Sequence, residues 1–420
     1  MRLQNFKKYV IIKKTIKRQI MILRKNYLQK LIDAKDTEFI KIITGVRRSG
    51  KSTLLLMFKD YLLQKGIKEK NIIYINFESA IYDTIKDYKD LYKYIKSKYV
   101  KNKKYYILLD EIQMVKEWEK AVNSINVDFD IDIYITGSNA YLLSSELSTL
   151  LSGRYVEIKI YTLSFKEFLQ FNNYDNLNIE DKFYEYLKYG GLPAITQIKD
   201  KTDLVMTYLN DIYNTIVKKD IISRNSIKDI ALLENIVKYI ANNIGNQISA
   251  NGVSNYLNSN KIVEKSNHQT IDNYLKMLEN AFIFYKADRS DIKSKNILKT
   301  LGKYYIVDTG IRNIITGFRN IDEGHLLENI VYLELLRRDY KVNIGKTLNG
   351  EVDFVAENIN EIKYYQVTQS LLDKKVKDRE IGGLESINDN YEKIIITMDK
   401  TINKDYNGIK VINIIDFLLK

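Results

Sequence analysis

The sequence predicts an α/β protein whose first domain is built on a mainly parallel sheet. Between residues 38 and 165, apolar runs of strand length alternate with helical stretches, as in strands joined by helical crossovers. The pattern is almost wholly helical from residue 166 to residue 225, and mixed strands and helices return after residue 300. The chain has one proline and no low-complexity linker, so these changes of period indicate where it divides.

Five segments follow from these changes. Residues 1–37 form a basic lead-in that we expect to be helical, because RKNYLQKLIDA has amphipathic spacing. The first 30 residues hold ten Lys or Arg and no acidic residue. The other segments are the parallel-sheet domain (38–165), a helical segment (166–225), a helix-turn-helix-like module (226–299) and a second α/β domain (300–420).

The composition excludes several kinds of chemistry. The 420 residues include no cysteine and two histidines, His268 and His325, so disulfides, thiolate sites and multi-histidine zinc centres cannot form. With 66 basic and 53 acidic residues the net charge is +13, which favours a polyanionic partner, nucleic acid before membrane; a general Lys-rich bias is the alternative. No apolar stretch reaches 18 residues and no secretory signal is evident, so we expect a cytoplasmic protein with no membrane partner.

The strongest motif is GVRRSGKST, which fits the phosphate-binding pattern G-x-x-x-x-G-K-[ST] between an apolar strand and a helix. Backbone N–H groups of such a loop and of the helix N-terminus cradle phosphates. We expect Lys51 to reach the β- and γ-phosphates and the Ser52 hydroxyl to ligate Mg²⁺. The predicted nucleotide-binding residues are Gly45, Val46, Arg47, Arg48, Ser49, Gly50, Lys51, Ser52 and Thr53.

Polar residues at the ends of further apolar runs complete the predicted site. YYILLDE ends in Asp110, which suits Mg²⁺, and Glu111, which suits polarisation of an attacking water. DIYITGSNA ends near Ser138 and Asn139, either of which suits a contact to the γ-phosphate or the water; an ordinary turn is the alternative. Arg154 in LSGRY is a candidate arginine finger, acting in its own chain or from a neighbouring subunit of a homo-oligomer, and a surface salt bridge is the alternative.

The identity of the nucleotide follows from an absence in the sequence. The N-K-x-D pattern that specifies guanine in GTPases is missing, since NKDY at 403–406 does not fit it. ATP with Mg²⁺ is therefore the predicted cofactor pair.

Six motifs in order, GVRRSGKSTLL, LDEIQ, ITGSNA, LSGRY, LSFKEF and YGGLPA, resemble a prokaryotic AAA-type P-loop ATPase family with a C-terminal domain of unknown function. The resemblance extends over nearly the whole chain. The first three motifs are common to many P-loop ATPases, whereas the last three, with GEVDFV and YYQV, are more specific. The resemblance implies ATP binding and hydrolysis, a helical lid, a winged helix and a restriction-endonuclease-like C-terminal domain.

Residues 226–290 have a helix-turn-helix layout followed by the strand-like FIFYKA. Asn and Gln pair with adenine edges in the major groove. We expect the second helix to expose Asn267, His268, Gln269 and Asn273. In the wing, the residues expected to contact phosphates are Lys286, Arg289, Lys293 and Lys295. This layout predicts a nucleic-acid partner, DNA first; docking of a protein partner through the same module is the alternative.

The last domain carries an incomplete version of a nuclease site. In the restriction-endonuclease-like fold, an Asp and a Glu on adjacent strands hold Mg²⁺, a Lys follows the Glu by two residues, and an earlier helix often adds a Glu. The resemblance assigns the helix carboxylate to Glu328 and the strand Asp to Asp353, but Gln366 and Thr368 stand where Glu and Lys are expected. Gln offers Mg²⁺ only a neutral oxygen, and Thr supplies no cation.

The sequence alone does not identify another lysine that takes the place of the missing one. Lys363 falls on the opposite face of its strand by period-2 parity, whereas an approach by Lys346 or Lys374 from neighbouring elements stays open. We therefore predict an Mg²⁺-dependent ATPase coupled to a nucleic-acid-binding C-terminal half with an inactive nuclease-like fold. A nucleotide-gated docking scaffold or signalling switch is the first alternative, and an ATP-controlled nuclease is the second.

Overall fold

The computed structural model describes residues 9–14, 17–138, 151, 153–171, 177–263, 267–294, 296–318, 323–347, 350–400 and 405–420. The chain divides into two compact units, Met1–Ile160 and Tyr161–Lys420. Within the described ranges, no helix combines the length and the apolar character that crossing a membrane requires.

The first unit begins with a β-hairpin. β1 (Tyr9–Lys14) pairs antiparallel with β2 (Lys17–Ile22), and α1 (Lys25–Asp33) follows. Residues 9–14 and 17–22 are thus strands and not the predicted helix, while the amphipathic segment forms α1. The run Val10-Ile11-Ile12 explains the difference, because β-branched side chains lose rotamer freedom in a helix and favour a pleated strand.

Five parallel strands form the sheet of the first unit. They are β3 (Ile40–Thr44), β4 (Ile72–Asn76), β5 (Tyr105–Asp110), β6 (Ile131–Thr136) and β7 (Tyr155–Lys159), in the spatial order β4-β5-β6-β3-β7. The remaining helices are α2 (Lys51–Gln64), α3 (Tyr88–Lys98) and α4 (Trp118–Asp128). Helices α1 and α2 cover one face of the sheet and α3 and α4 the other, so the central strands are buried along their whole length.

The second unit opens with helices and a small mixed module. The first helices are α5 (Phe165–Phe171), α6 (Ile179–Tyr189) and α7 (Thr202–Thr215), and α7 runs into a π-helical segment (Ile216–Ile222). The module consists of α8 (Ile230–Asn242), β8 (Gln247–Ile248), α9 (Ala250–Ser259), α10 (His268–Asn280), β9 (Phe284–Asp291) and β10 (Ile297–Ile306). Strand β10 pairs antiparallel with both β8 and β9, so a β-hairpin follows α10 where the wing is predicted.

The rest of the second unit extends the same sheet to nine strands. Its elements are α11 (Thr309–Thr316), α12 (Glu323–Arg337), β11 (Lys341–Lys346), β12 (Glu351–Glu357), β13 (Ile362–Thr368), α13 (Lys374–Glu385), β14 (Glu392–Thr397), β15 (Asp405–Tyr406), β16 (Ile409–Asn413) and α14 (Ile414–Leu419). The spatial order is β15-β16-β14-β13-β12-β11-β9-β10-β8. β11, β12 and β13 form an antiparallel meander, and β14 joins β13 in parallel, so Asp353 and Gln366 lie on neighbouring strands.

The YGGLPA segment joins α6 to α11 through close packing around one carboxylate. Asp308 begins α11 and accepts hydrogen bonds from the N–H groups of Gly310, at 3.0 Å, and Gly191, at 2.8 Å. Gly190 has φ of +79°, and a Cβ there would lie 1.9 Å from Asp308 Oδ1. Only glycine suits this position, which gives the motif a packing role.

Candidate functional site

The predicted phosphate loop turns tightly between β3 and α2. Gly45, Arg48 and Gly50 have φ of +141°, +66° and +102°, so the loop depends on residues in the left-handed half of backbone space. A Cβ on Gly45 would lie 2.2 Å from the carbonyl oxygen of Ile160, which excludes any larger residue. The loop leaves Gly50 directly into the first turn of α2, where N–H groups and the helix dipole favour an anion.

Lys51 lies inside this loop. Its ammonium donates to the carbonyl oxygens of Gly45, at 2.9 Å, and Val46, at 3.0 Å, and 4% of the residue is exposed. Outside the motif, Arg24 donates to the Ser49 carbonyl oxygen at 3.0 Å and stacks over the ring of Tyr27. Arg24 therefore supports the loop from the residue before α1, a role that the motif alone does not reveal.

Asp110 is the centre of a hydrogen-bonded set at the carboxyl edge of the sheet. Its Oδ1 accepts from the hydroxyls of Ser52, at 3.0 Å, and Thr136, at 2.6 Å, and its Oδ2 accepts from Tyr74, at 3.2 Å. Burial raises the pKa of Asp110, and the bonds from Thr136 and Ser52 act against that rise. The structure thus brings together the two predicted Mg²⁺ ligands, Ser52 and Asp110, and adds two partners that the sequence reading missed.

Glu111 lies beside this set in a conformation that is unusual for its residue type. Its φ is +57°, its N–H donates to the Thr136 hydroxyl at 3.0 Å, and its side chain accepts from Gln113. The Thr136 hydroxyl thus accepts from the backbone N–H of Glu111 and donates to the side chain of Asp110. This single hydroxyl therefore positions both Asp110 and Glu111.

Two buried hydroxyls near the loop are suited to contacts with a polar ligand. Among the described residues, Ser49 Oγ and Ser138 Oγ are buried and have no hydrogen-bond partner, and such groups are costly unless a ligand or water satisfies them. Ser49 is in the loop, and Ser138 follows Gly137, whose N–H donates to the Ile43 carbonyl oxygen at the loop end of β3. Asn139, the other predicted contact, lies outside the described residues.

Arg154 is not brought to the phosphate loop of its own chain. Its carbonyl oxygen accepts from the N–H of Ile40, the first residue of β3, whereas the loop follows Thr44 at the other end of that strand. About 13 Å of strand separate these two ends. The Arg154 guanidinium donates to Asn123 at 3.1 Å and is exposed.

The residues around the loop fit a magnesium nucleotide. A hydroxyl and a carboxylate are hard oxygen ligands that leave room for phosphate oxygens and water on Mg²⁺. Lys51 and the loop N–H groups suit the phosphates, and Ser49 and Ser138 offer two further hydroxyls. In the part of the chain that the structure describes, no group of three or more His, Cys, Asp or Glu residues is placed to hold a metal ion.

The residues predicted for a nuclease-like site also come together, in a cavity of about 1140 Å³ in the second unit. Glu328 and Asp353 line it with Gln366, whose Oε1 accepts from the Asp353 N–H at 3.2 Å. Lys363 is outside it, in ion pairs with Glu361 and Glu392, as its parity predicts. The ammonium that enters the cavity belongs to Lys303 on β10, which the sequence reading did not consider.

The predicted nucleic-acid face on α10 is partly as expected. His268, Gln269 and Asn273 are exposed, whereas the Asn267 side chain caps the helix by accepting from the Thr270 N–H. On the hairpin, Arg289, predicted as a phosphate contact, lies 3.3 Å from the Glu351 carboxylate. Lys295 lies outside the described residues.

Comparisons with known proteins place this geometry in a family. An uncharacterized protein of Haemophilus influenzae is 48% identical over 403 residues, covering 95% of this chain and 99% of its own length. An uncharacterized protein of Methanocaldococcus jannaschii is 32% identical over 97% of this chain and 88% of its own length. The chain belongs to the same family as these two proteins.

Two domain families match successive parts of the chain. Residues 37–169 match the family described as AAA domain, and residues 180–322 match the family described as Domain of unknown function (DUF8612). Among solved structures, the Walker-type ATPase of Pyrococcus abyssi has a TM-score of 0.50 at 15% identity, over 70% of this chain and 96% of that one. The first unit therefore has the fold of P-loop ATPases of the AAA type, and the chain continues into a domain of unknown function.

Proposed function

We propose that the protein is an Mg²⁺-dependent ATPase whose nucleotide cycle controls a nucleic-acid-binding C-terminal half. The observation that carries the proposal is the connected set at the sheet edge, in which Ser52 and Thr136 both donate to Asp110 beside the enclosed ammonium of Lys51. A structural glycine turn does not require these groups. The AAA domain match and the fold of the first unit support the same reading.

Each residue of the set has a distinct task in this proposal. Ser52 and Asp110 would hold Mg²⁺, which neutralises phosphate charge when it is bound. Lys51 and the loop N–H groups bind the phosphates. Glu111 orients and polarises the attacking water, and the Ser138 hydroxyl contacts the γ-phosphate or that water. Thr136 fixes the positions of Asp110 and Glu111 through its two hydrogen bonds.

Arg154 completes the site only from a neighbouring subunit in this proposal. Its place at the amino edge of β3 separates it from its own loop, but an exposed guanidinium at that edge suits a contact to the nucleotide of a second copy. An arginine that reaches a transferring phosphoryl group in this way can be worth about 10³–10⁵ in rate. The proposal therefore includes a homo-oligomer in the active state.

The nucleic-acid half rests on the module from α8 to β10, which we propose is a winged helix. Gln269 and Asn273 lie one helical turn apart on the exposed side of α10, with His268 beside them, and such side chains suit base edges in the major groove. The β9–β10 hairpin follows as the wing, with the exposed Lys293 near its tip. The positive net charge supports a polyanionic partner.

A specific observation favours the second candidate, a nucleotide-gated docking scaffold. Three cations on or near the proposed wing and recognition helix are paired with acidic neighbours: Lys276 with Asp272 at 2.7 Å, Lys286 with Asp288 at 2.9 Å, and Arg289 with Glu351 at 3.3 Å. Paired cations contribute less to phosphate binding than free ones. The winged helix would then bind a protein, with the ATPase cycle as its switch.

ATP hydrolysis by a Lys51→Ala variant tests the catalytic part of the proposal. We expect loss of Mg²⁺-dependent phosphate release, because the ammonium inside the loop is removed. Lys59→Ala is the matched control, since Lys59 is on the same helix but pairs with Glu69 at the surface, and it should retain wild-type turnover. Unchanged turnover in Lys51→Ala would show that this loop does not hydrolyse ATP.

A further inference from the structure

Three acidic side chains in the cavity of the second unit surround one ammonium group. Lys303 Nζ lies 2.9 Å from Glu328 Oε1, 3.2 Å from Glu351 Oε1 and 3.2 Å from Asp353 Oδ1. Lys303, Glu328 and Asp353 are each less than a tenth exposed. A buried carboxylate is stable only when a cation or several hydrogen-bond donors compensate its charge. In this cluster the compensating cation is part of the protein.

The other oxygen of each carboxylate is also engaged. Asp353 Oδ2 accepts from the Val367 N–H at 2.9 Å. Glu351 Oε2 accepts from Gln247 and lies 3.3 Å from Arg289, and Glu328 Oε2 lies 3.6 Å from His325 Nδ1. The Tyr305 hydroxyl adds a second bond to Glu328 Oε1, at 2.6 Å. Each of the three carboxylates therefore has a cationic or hydrogen-bonding group of the protein near both of its oxygens.

The electrostatics agree with a permanently charged lysine. Burial alone would lower the pKa of Lys303, but the charges of Asp353, Glu328 and Glu351 outweigh it and hold that pKa above its ordinary value. The pKa of Glu328 is lowered despite burial, mainly because of Lys303. Burial and the charge of Glu328 raise the pKa of Asp353 to about 7, against the effect of Lys303, so the ammonium is the fixed charge of the cluster.

The metal that a restriction-endonuclease-like fold implies does not fit these residues. Gln366 has an amide in place of a carboxylate, and its oxygen accepts from the Asp353 N–H. One oxygen of Asp353 accepts from Lys303 and the other from the Val367 N–H. We propose that Lys303 is the resident cation of this cluster, in the place of a divalent metal, so that the cavity is metal-free. This inference goes beyond the ATPase proposal and does not depend on it.

The donors and the carboxylates of this cluster come from two different parts of the second unit. The donors Lys303, Arg289 and Gln247 come from β10, β9 and β8, which belong to the proposed winged helix. The carboxylates come from α12 and β12 of the nuclease-like part. The cluster therefore joins these two parts of the second unit by ion pairs, and a metal is replaced by a connection within the chain.

Tyrosine-sensitised Tb³⁺ luminescence tests the inference without relying on any activity. Tb³⁺ binds oxygen sites like those of Ca²⁺, and the Tyr305 hydroxyl on Glu328 places a sensitiser at the cluster. In the wild type, we expect Tb³⁺ not to bind at the cluster, so the Asp353→Asn change should leave the luminescence unaltered. In Lys303→Met, which keeps an apolar stem of similar length, we expect a new saturable signal that disappears in Lys303→Met combined with Asp353→Asn.

Matched variants separate this result from general effects. Lys363→Met makes the same change at a lysine outside the cavity and should gain no signal. Any Tb³⁺ bound at the nucleotide site contributes equally to every variant. If Lys303→Met does not fold, Lys303→Met with Glu351→Gln removes a surplus charge and takes its place. Wild-type luminescence that depends on Asp353, or a folded Lys303→Met variant without the gain, would overturn the inference.

Discussion

Thr136 connects the two carboxylate residues of the candidate nucleotide site. Its hydroxyl donates to Asp110 and accepts from the Glu111 N–H, so it connects the proposed metal ligand to the proposed catalytic carboxylate. Without it, the buried Asp110 would lose the strongest of the bonds that oppose its raised pKa. Thr136 does not touch the nucleotide in this account, and it acts by positioning.

Replacement of Thr136 by Val should reduce kcat by about 10- to 100-fold, with little change in ATP affinity, since each lost positioning bond costs about 1–3 kcal/mol. Steady-state hydrolysis and nucleotide titration separate the two quantities. The change keeps the shape of the side chain and removes its hydroxyl. Thr136→Ser restores the hydroxyl and should recover most of the rate; equal rates in the Val and Ser variants would rule out the positioning role.

Asp308 predicts a pH dependence of stability in the second unit. Burial raises the pKa of Asp308 from 3.8 to about 6, against the bonds from the N–H groups of Gly191, Ile311 and Gly310. Because the folded-state pKa is above the unfolded one, the stabilisation is fully present below the unfolded value and is lost as pH rises through about 6. The free energy that corresponds to this difference between the folded and unfolded pKa is roughly 3 kcal/mol.

Chemical unfolding of wild type and Asp308→Asn between pH 4 and 7.5 measures this contribution. The difference in free energy of unfolding between them should favour the wild type more strongly at the acidic end, because the Asn side chain does not titrate. A difference that is constant over this range would show that the Asp308 carboxyl has the same pKa in both states.

At the scale of elements, the junction between α6 and α11 shows what the YGGLPA motif does. Gly190 ends α6 with positive φ against the Asp308 carboxylate, and a Cβ on Gly310 would meet the Tyr189 carbonyl oxygen at 2.2 Å. Helix α6 and α11 can approach only because both positions lack a side chain. The motif is therefore explained by packing, with no role in nucleotide chemistry required.

Gly190→Ala should lower the free energy of unfolding by about 3 kcal/mol or more, from the collision with Asp308 together with left-handed backbone strain. Gly382→Ala is the control, because Gly382 lies within α13 with open space around its Cβ direction and should be neutral or slightly stabilising. Denaturant titrations of both variants make the comparison, and a Gly190→Ala protein as stable as the control would contradict the packing role.

How far the sequence predicts each element depends on how local its determinants are. The loop, Lys51 and Asp110 follow from contiguous motifs next to apolar strands. Thr136 is 26 residues from Asp110 and Lys303 is 50 residues from Asp353, so both contacts depend on strand order, which no local pattern specifies. The β1–β2 hairpin was missed for a different reason, because the amphipathic spacing of RKNYLQKLIDA was extended to the residues before it.

At the scale of the whole molecule, the place of Arg154 predicts that active sites form between subunits. Lys51→Ala and Arg154→Ala subunits should each be inactive alone, whereas a mixture should recover part of the ATPase activity, because an intact loop then meets an intact arginine. Hydrolysis rates across mixing ratios provide the measurement. A mixture that stays as inactive as its components, or wild-type activity in Arg154→Ala alone, would refute an arginine supplied in trans.

We propose that ATP hydrolysis in the first unit serves nucleic-acid binding in the second. The most direct test is the ATPase rate of the full chain, with and without duplex or single-stranded DNA, at low and moderate salt. We expect stimulation by DNA that weakens with salt, is absent in Lys51→Ala, and is reduced when Gln269 and Asn273 are both changed to Ala. Hydrolysis that depends on Lys51 but is indifferent to nucleic acid at low salt would contradict this proposal and favour the docking scaffold.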